Sequence, residues 1–134
     1  MEKIVLSTSD ASAPVAPYSQ AIRVGSFVFV AGQVGINPKT GKVVPGGIRA
    51  QTKQAIENLK AVLATAGIRL EHIVKTTVFL RNARDYKTMN EVYREYFADK
   101  PPARTTVQAV PPVKDFLVEL EAIAYIPQAT SQMD

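Results

Sequence analysis

Cysteine is absent from this 134-residue chain, and the chain contains a single histidine, His72. Without cysteine, disulfides, thiol nucleophiles and cysteine-ligated metal sites are excluded. A Ser-His catalytic relay would have to use His72. That histidine precedes a predicted strand, where the plainer interpretation is a surface residue with no role.

Long hydrophobic runs are also absent, so the sequence offers no segment that could span a membrane as a helix. The first ten residues, MEKIVLSTSD, carry an acid at position 2 and lack the apolar core of a signal peptide. We therefore expect a cytoplasmic location. With 46% apolar and 21% charged residues, the chain has the composition of an ordinary globular protein. We expect one domain over 1–134, with a loose tail at about 127–134.

Charge of one sign is only mildly in excess, since 16 Lys and Arg against 12 Asp and Glu give a net charge of +4. Such a balance favours anionic partners, either nucleic acid or small carboxylates. The basic residues are spread along the whole chain, and no basic and aromatic signature of an RNA module is present. A solvated basic surface is the simpler interpretation.

Hydrophobic periodicity and turn residues predict the order strand, strand, helix, strand, helix, strand, strand, which is an α+β fold with one mixed sheet and two helices. The first half holds a short strand at 3–6, two strands in 21–31 around a Gly25-Ser26 turn, a turn at 37–42, and a helix that begins after Pro-Gly-Gly at 45–47 and ends at Gly67. A strand at 73–81 and a helix starting near Asp85 follow, and the apolar stripe of that helix is Tyr86, Met89, Tyr93 and Phe97. The last predicted strands are 104–110 and 116–125.

Counting apolar faces indicates an oligomer, because two helices can cover only one side of such a sheet. In 73–81, alternation puts Val74, Thr76, Val78 and Leu80 on one face and Lys75, Thr77, Phe79 and Arg81 on the other. The segment FVFVA is apolar on both sides, and Ile123 and Tyr125 add to the uncovered face. A bare apolar face of that size is unfavourable in water, so we expect other subunits to cover it, with sites between chains.

Arg104 is the polar residue that fits the pattern least, because it heads an apolar strand directly after Pro101 and Pro102. Burying an unpaired guanidinium destabilises the folded state by roughly several kcal/mol, so the guanidinium needs a carboxylate or a ligand as a partner. A structural pair with Glu121 and the binding of an anionic ligand are both compatible with the sequence.

Other polar residues also interrupt apolar faces, and each has a plain structural interpretation. Asn90 can be a buried amide satisfied by a loop carbonyl, and Glu119 a charge at the rim of the sheet. Glu121 can pair with a lysine, and Tyr18 can pack its ring with the hydroxyl at the surface. Gly32, at the end of a strand, allows another part of the molecule to approach the backbone closely.

Six segments taken together resemble the RidA family of reactive intermediate imine deaminases, also called the YjgF family. They are APYSQAI at 16–22, AGQVGINPKTG at 31–41, VKTTVFL at 74–80, MNEVY at 89–93, PPARTTV at 101–107 and VELEAIA at 118–124. The likeness runs in order from about Ile4 to Tyr125.

The resemblance implies a chorismate-mutase-like α+β fold and a homotrimer with a central β-barrel, helices outside and clefts between subunits. It implies hydrolysis of 2-imino acids, such as 2-iminobutanoate and 2-iminopropanoate, to 2-keto acids and ammonia. Those imines escape from pyridoxal-phosphate dehydratases, and their removal protects other pyridoxal-phosphate enzymes from damage. No metal or organic cofactor is implied, because the imine is already reactive.

By position, the resemblance assigns catalytic roles to Arg104, which binds the substrate carboxylate, and to Glu121, which holds the attacking water. The positions of Tyr18, Gly32, Asn90 and Thr106 match residues that line the family's site. Thr106 stands where many members have cysteine and Ala31 where many have serine, which bears on rate and substrate range.

Two other classes of function stay open at this point. One is an RNA-directed protein, an endoribonuclease or translation inhibitor, with which the net charge is compatible. The other is a non-catalytic trimer that binds small carboxylates.

Overall fold

The computed structural model describes residues 1–128 and places two helices on one face of a six-stranded sheet. The predicted α+β architecture, with two helices on one mixed sheet, is confirmed. The elements are β1 Lys3–Leu6, β2 Ala21–Val24, β3 Phe27–Val34, β4 Ile36–Asn37, β5 Lys42–Val43, α1 Gly47–Ala64, β6 Ile73–Leu80, α2 Tyr86–Tyr96, β7 Ala103–Gln108 and β8 Val118–Tyr125. The predicted loose tail lies mostly beyond the described residues. Neither described helix is long and apolar enough to cross a membrane.

The sheet runs in the order β1-β2-β3-β8-β6-β7, and β4 and β5 form a separate small hairpin. All neighbouring strands of the large sheet are antiparallel except β6 and β7, which are parallel and joined by α2. Parallel neighbours need such a crossover connection. As a result, Arg104 lies on an edge strand, while Glu119 and Glu121 lie on the central strand β8.

The core forms between α1, α2 and the helix-facing side of the sheet. Both helices and the sheet contribute side chains with no exposed surface, namely Ile56, Leu59, Val62, Leu63, Met89, Val28, Val78, Val118 and Leu120. Gly67 acts as the predicted stop after α1: it adopts φ 72°, and Ile68 N–H donates to the Leu63 carbonyl at 3.3 Å. That 6→1 bond satisfies a carbonyl that the end of the helix leaves free.

Local details differ from the predicted elements at three places. The last two strands are shorter than predicted, with β7 at Ala103–Gln108 and β8 at Val118–Tyr125. Asp85 occupies the N-cap position of α2 but makes no side-chain cap; instead Asn82 accepts a hydrogen bond from Arg84 N–H at 3.0 Å in the preceding turn. Val74 is 42% exposed rather than buried, because a bulge between Ile73 and Lys75 reverses the alternation there.

The face of the sheet away from the helices, here called the open face, carries large exposed apolar side chains. Its exposed members are Phe27, Phe29, Val107 and Tyr125, at 51%, 45%, 42% and 39% exposure, and Phe79 and Ile123 lie half-buried between them. The predicted bare apolar face therefore exists in the isolated chain.

Candidate functional site

Arg104 lies over an aromatic surface at the edge of the sheet. β7 pairs Arg104 with Thr76 of β6, and this places its side chain on the helix side, against α2. Its guanidinium carbon is 4.7 Å from the centre of the Tyr93 ring, and an Nη atom donates to the Tyr86 hydroxyl at 3.2 Å. Stacking on an aromatic face is an arrangement that arginine favours.

A cavity of about 490 Å³, here called the arginine cavity, opens beside this guanidinium. It is lined by Tyr86, Asn90, Tyr93, Arg94, Phe97, Ala98, Pro101, Pro102 and Arg104. None of these residues is acidic. The ion pairs within residues 1–128 join Arg49 to Glu91 and Glu95 and Arg69 to Glu71, so Arg104 has no carboxylate partner in the described chain. A structural pair between Arg104 and Glu121 is therefore excluded there.

The tyrosines beside Arg104 are fixed from the helix and from the sheet. The hydroxyls of Tyr93 and Thr76 lie 2.8 Å apart in a buried hydrogen bond, and burial raises the pKa of Tyr93. Hydrogen bonding by the Asn90 side chain, together with the charge of Arg104, lowers the pKa of Tyr86. Asn90 is half-buried and lines the cavity, so it is not a core amide.

Thr106 follows Arg104 on the same face of β7, opposite Val78. Its hydroxyl oxygen is buried and has no hydrogen-bond partner within the described chain. The residue does not line the arginine cavity.

Tyr18 and Gly32 meet at a second cavity of about 380 Å³, here called the glutamate cavity. It lies between the loop at 12–18, the end of β3 and the loop at 112–116, and Glu119 of β8 lines it as well. Tyr18 is 52% exposed at its border. Most of the remaining lining is apolar, with Val15, Ile36, Val113 and Phe116 among its members.

Glu119 packs directly against Gly32. A bulge between Val30 and Gln33 moves this part of β3 out of regular register with β8. A Cβ on Gly32 would lie 2.8 Å from Glu119 Cδ and 2.9 Å from Cγ, so the glycine leaves the space that the carboxylate occupies. Burial, followed by the charge of Glu121, raises the pKa of Glu119. Glu119 is thus a half-buried carboxyl group beside the glutamate cavity and not the rim charge expected from its position.

Glu121 lies elsewhere. It is exposed on the open face and lines a third, smaller cavity of about 180 Å³ with Lys75 and Thr77. It is paired with Thr77 in the sheet, whereas Arg104 is paired with Thr76, so Arg104 and Glu121 point to opposite faces. Glu119 lies on the same open face, so neither glutamate meets Arg104 within one copy of the chain, and the catalytic role assigned to Glu121 stays a prediction. Of the two, Glu119 is the one that shares a cavity with Tyr18 and Gly32.

Two residues that the sequence reasoning missed hold the walls of the glutamate cavity. Gln20 is 3% exposed; its side chain accepts from Thr8 N–H at 2.7 Å and donates to the Thr8 and Ser12 carbonyls. Arg81 donates to the carbonyls of Phe116, Pro111 and Val113 at 2.8, 3.2 and 2.7 Å. Both side chains fix otherwise irregular loops by satisfying their backbone groups.

The single histidine takes no part in either cavity. His72 Nδ1 accepts a hydrogen bond from Arg69 N–H at 2.9 Å, and its ring meets the Tyr125 ring edge to face at 5.5 Å. In residues 1–128, no three His, Asp or Glu side chains are grouped as a metal ion would require.

Comparison with known sequences finds close relatives over nearly the whole chain. A protein-family model described as Endoribonuclease L-PSP matches residues 8–126. A RutC family protein of Pyrococcus abyssi is 53% identical over 125 residues, which cover 93% of this chain and 98% of that protein. A mouse protein named 2-iminobutanoate/2-iminopropanoate deaminase is 43% identical over 120 residues, 90% of this chain and 89% of its own length.

Solved structures show the same fold. RidA from an Antarctic Psychrobacter species superposes with a TM-score of 0.87 at 38% identity, covering 92% of this chain and 99% of that one. The structure of TdcF from E. coli with bound serine gives a TM-score of 0.87 at 35% identity, with the same coverage. On sequence and fold together, the chain belongs to the RidA (YjgF-type) family, whose family model is described as Endoribonuclease L-PSP.

Proposed function

We propose that this protein is a hydrolytic deaminase that converts 2-imino acids and their enamine tautomers, such as 2-iminobutanoate and 2-iminopropanoate, to 2-keto acids and ammonia. The observation that carries the proposal is Arg104, a guanidinium without a carboxylate partner in the described chain, in a cavity lined by no acidic residue. Its planar set of N–H donors fits a planar carboxylate. The mouse relative carries the deaminase name, and TdcF binds serine, a small amino acid with a carboxylate.

The complete site forms between copies of the chain. Arg104 faces the helix side of β7, whereas Glu119 lies with Phe79 on the open face, so one copy alone does not bring them together. In a homotrimer, the open face of one copy is covered by its neighbours, and Arg104 of one copy meets Glu119 of the next. The exposed aromatic residues of the open face support this arrangement, as does β7, which pairs only with β6 within residues 1–128.

In this site Arg104 binds the carboxylate and thereby fixes the neighbouring C=N carbon. Water attacks that carbon, and the Glu119 carboxylate takes a proton from the water as the C–O bond forms. Return of that proton to nitrogen completes the carbinolamine. Transfer of the carbinolamine hydroxyl proton to the same nitrogen, by way of Glu119, then lets the C–N bond break as the C=O bond forms, which releases ammonia and leaves the 2-keto acid. Burial raises the pKa of Glu119, which makes it a stronger base than an ordinary carboxylate, and the carboxylic acid so formed can still protonate the more basic amine nitrogen.

The remaining predicted site residues have supporting roles. Tyr18 borders the glutamate cavity, and Gly32 provides the space for the Glu119 carboxylate. Asn90 lines the arginine cavity. Thr106 contributes through its backbone, since its hydroxyl oxygen is buried. Positioning of a reactive imine supplies much of the acceleration, so the chemistry needs no metal or cofactor. The protection of pyridoxal-phosphate enzymes and a cytoplasmic location stay predictions from the sequence and the resemblance.

The test couples the protein to a threonine dehydratase and follows 2-iminobutanoate and 2-ketobutyrate. The wild-type protein is expected to speed the appearance of 2-ketobutyrate. Loss of two charge-assisted hydrogen bonds in Arg104→Ala removes about 3–6 kcal/mol of binding to the transition state, a fall of about a hundredfold or more in kcat/KM. Arg49→Ala is the matched control, because Arg49 forms an exposed ion pair with Glu91.

Turnover by Arg104→Ala at the wild-type rate would refute the assigned role of Arg104. Carboxylate binding without any turnover by the wild-type protein would indicate the non-catalytic binding trimer. RNA binding with a steep dependence on salt would indicate the RNA-directed alternative.

A further inference from the structure

Tyr86 presents a hydroxyl group to the arginine cavity. It is the first residue of α2, it is 48% exposed, and it lines the cavity beside Arg104 and Asn90. Its oxygen accepts a hydrogen bond from an Arg104 Nη atom at 3.2 Å. Asn90 lies four residues later, one helical turn away, where side chains on the same helix face meet.

The hydrogen bonds of this phenol leave its own proton free. A tyrosine hydroxyl has one O–H to donate and two lone pairs with which to accept. Arg104 is a donor only, so its bond to Tyr86 uses a lone pair of the phenol oxygen and does not use the O–H proton. No residue of the same copy that lines the cavity carries a carboxylate to accept the Tyr86 proton. The O–H is therefore available to whatever enters.

We propose that the Tyr86 hydroxyl is a ligand-binding group that donates to the carboxylate of the bound acid beside the guanidinium of Arg104. The carboxylate then receives donors from two elements, β7 and α2, and its orientation is set more tightly than Arg104 alone can set it. This assignment rests on the proposed function, because it names a further binding residue for the same small anionic substrate.

The role predicts loss of binding at alkaline pH. The phenol must keep its proton to donate, whereas a phenolate repels the ligand carboxylate and pairs with Arg104. Asn90 and then Arg104 lower the pKa of Tyr86, so this loss occurs at lower pH than for an ordinary tyrosine. The other titratable groups of the same copy that face the cavity are Tyr93, whose pKa burial raises, and the cations Arg94 and Arg104. In the proposed trimer Glu119 of the next copy also faces this site, and a carboxylic acid loses its proton at lower pH than a tyrosine does. Tyr86 is thus expected to be the first of these groups to titrate at alkaline pH.

The test measures binding of 2-ketobutyrate, the stable product of the proposed reaction, by isothermal titration calorimetry from neutral to alkaline pH. Tyr86→Phe keeps the ring and removes the donor, so affinity at neutral pH should fall by about three- to tenfold. The alkaline loss of binding should move to higher pH in this variant. Tyr96→Phe is the matched control on the same helix, because the Tyr96 hydroxyl donates to Glu57 at 2.8 Å and lies outside the cavity.

The outcomes separate this assignment from the proposed function. Equal affinity and equal pH profiles for wild-type protein and Tyr86→Phe, with imine hydrolysis intact, would overturn the role of Tyr86 alone. Binding that depends on Tyr86, with no hydrolysis by the wild-type protein, would support the role and overturn the deaminase. Absence of 2-ketobutyrate binding by folded wild-type protein would overturn the role of Tyr86, while the coupled assay still decides on hydrolysis.

Discussion

Replacing Gly32 with alanine tests the contact on which the position of Glu119 depends. The added Cβ would lie 2.8 Å from Glu119 Cδ, whereas two carbons in favourable contact are about 3.5–4.0 Å apart. Glu119 is only half-buried, so its side chain can be displaced toward the cavity instead of moving the backbone. We expect the overlap to destabilise the native state by about 1–3 kcal/mol, the usual range for overpacking.

A second effect of the substitution opposes the first. Alanine restricts the unfolded chain more than glycine does, which stabilises a protein by about 0.4–1 kcal/mol where the backbone tolerates it. Gly32 is not among the glycines with positive φ, so this gain applies. Subtracting this gain from the cost of overpacking leaves a net loss of unfolding free energy of about 0–2.6 kcal/mol.

A double-variant cycle isolates the contact. In a Glu119→Ala background there is no side chain to displace, so Gly32→Ala should be neutral or slightly stabilising there. Urea denaturation of the four proteins at one fixed concentration gives the coupling energy, expected to be about 1 kcal/mol or more. Equal destabilisation in both backgrounds would show that Glu119 is not what the added methyl meets, and the placement of Glu119 against Gly32 would be refuted.

Two further predictions concern stability. Asn58→Ala should lower the unfolding free energy by about 2–4 kcal/mol, because Asn58 is buried and its side-chain amide donates to the Val34 and Ile36 carbonyls. Gln54→Ala removes only the donor to Asn58 Oδ1 and should have a smaller effect. Equal losses of unfolding free energy for the two variants in urea titrations would contradict this. Glu119→Gln should make stability depend less on pH. Because burial raises the pKa of Glu119, the native state keeps the Glu119 proton to higher pH than the unfolded chain does. Wild-type stability therefore falls as pH rises from the ordinary glutamate pKa to the raised one, and the variant lacks this fall. Thermal denaturation across that interval checks this, and parallel curves would contradict it.

Much of the fold could be predicted because the sequence is locally consistent. The Gly25-Ser26 turn before β3, helical spacing in α1 and Gly67 at its end each indicate the element that forms. Counting the apolar faces of the predicted strands and helices also predicts the open face. The insertion of β8 between β3 and β6 could not be read in this way, since strand order depends on long-range pairing.

The candidate site shows where sequence reasoning stops. Arg104 stood out because a permanent charge at the head of an apolar strand needs an explanation, and its cavity supplies one. The resemblance assigned the catalytic role to Glu121 and not to Glu119, and alternation could not test that choice, because two residues on a strand that are separated by one position share a face. The difference between them comes from the bulge beside Gly32, and that bulge depends on the pairing of β3 with β8.

A mixing experiment tests most directly the central claim, that Arg104 and Glu119 of different copies form one imine-hydrolysing site. Arg104→Ala and Glu119→Gln, each alone, are expected to be nearly inactive. The two variants are then refolded together in equal amounts. With random assembly, about a quarter of the interfaces combine an intact Arg104 from one copy with an intact Glu119 from the next, so about a quarter of wild-type activity should return. Formation of mixed oligomers, shown by mass spectrometry of differently tagged chains, with no recovered activity would contradict the account.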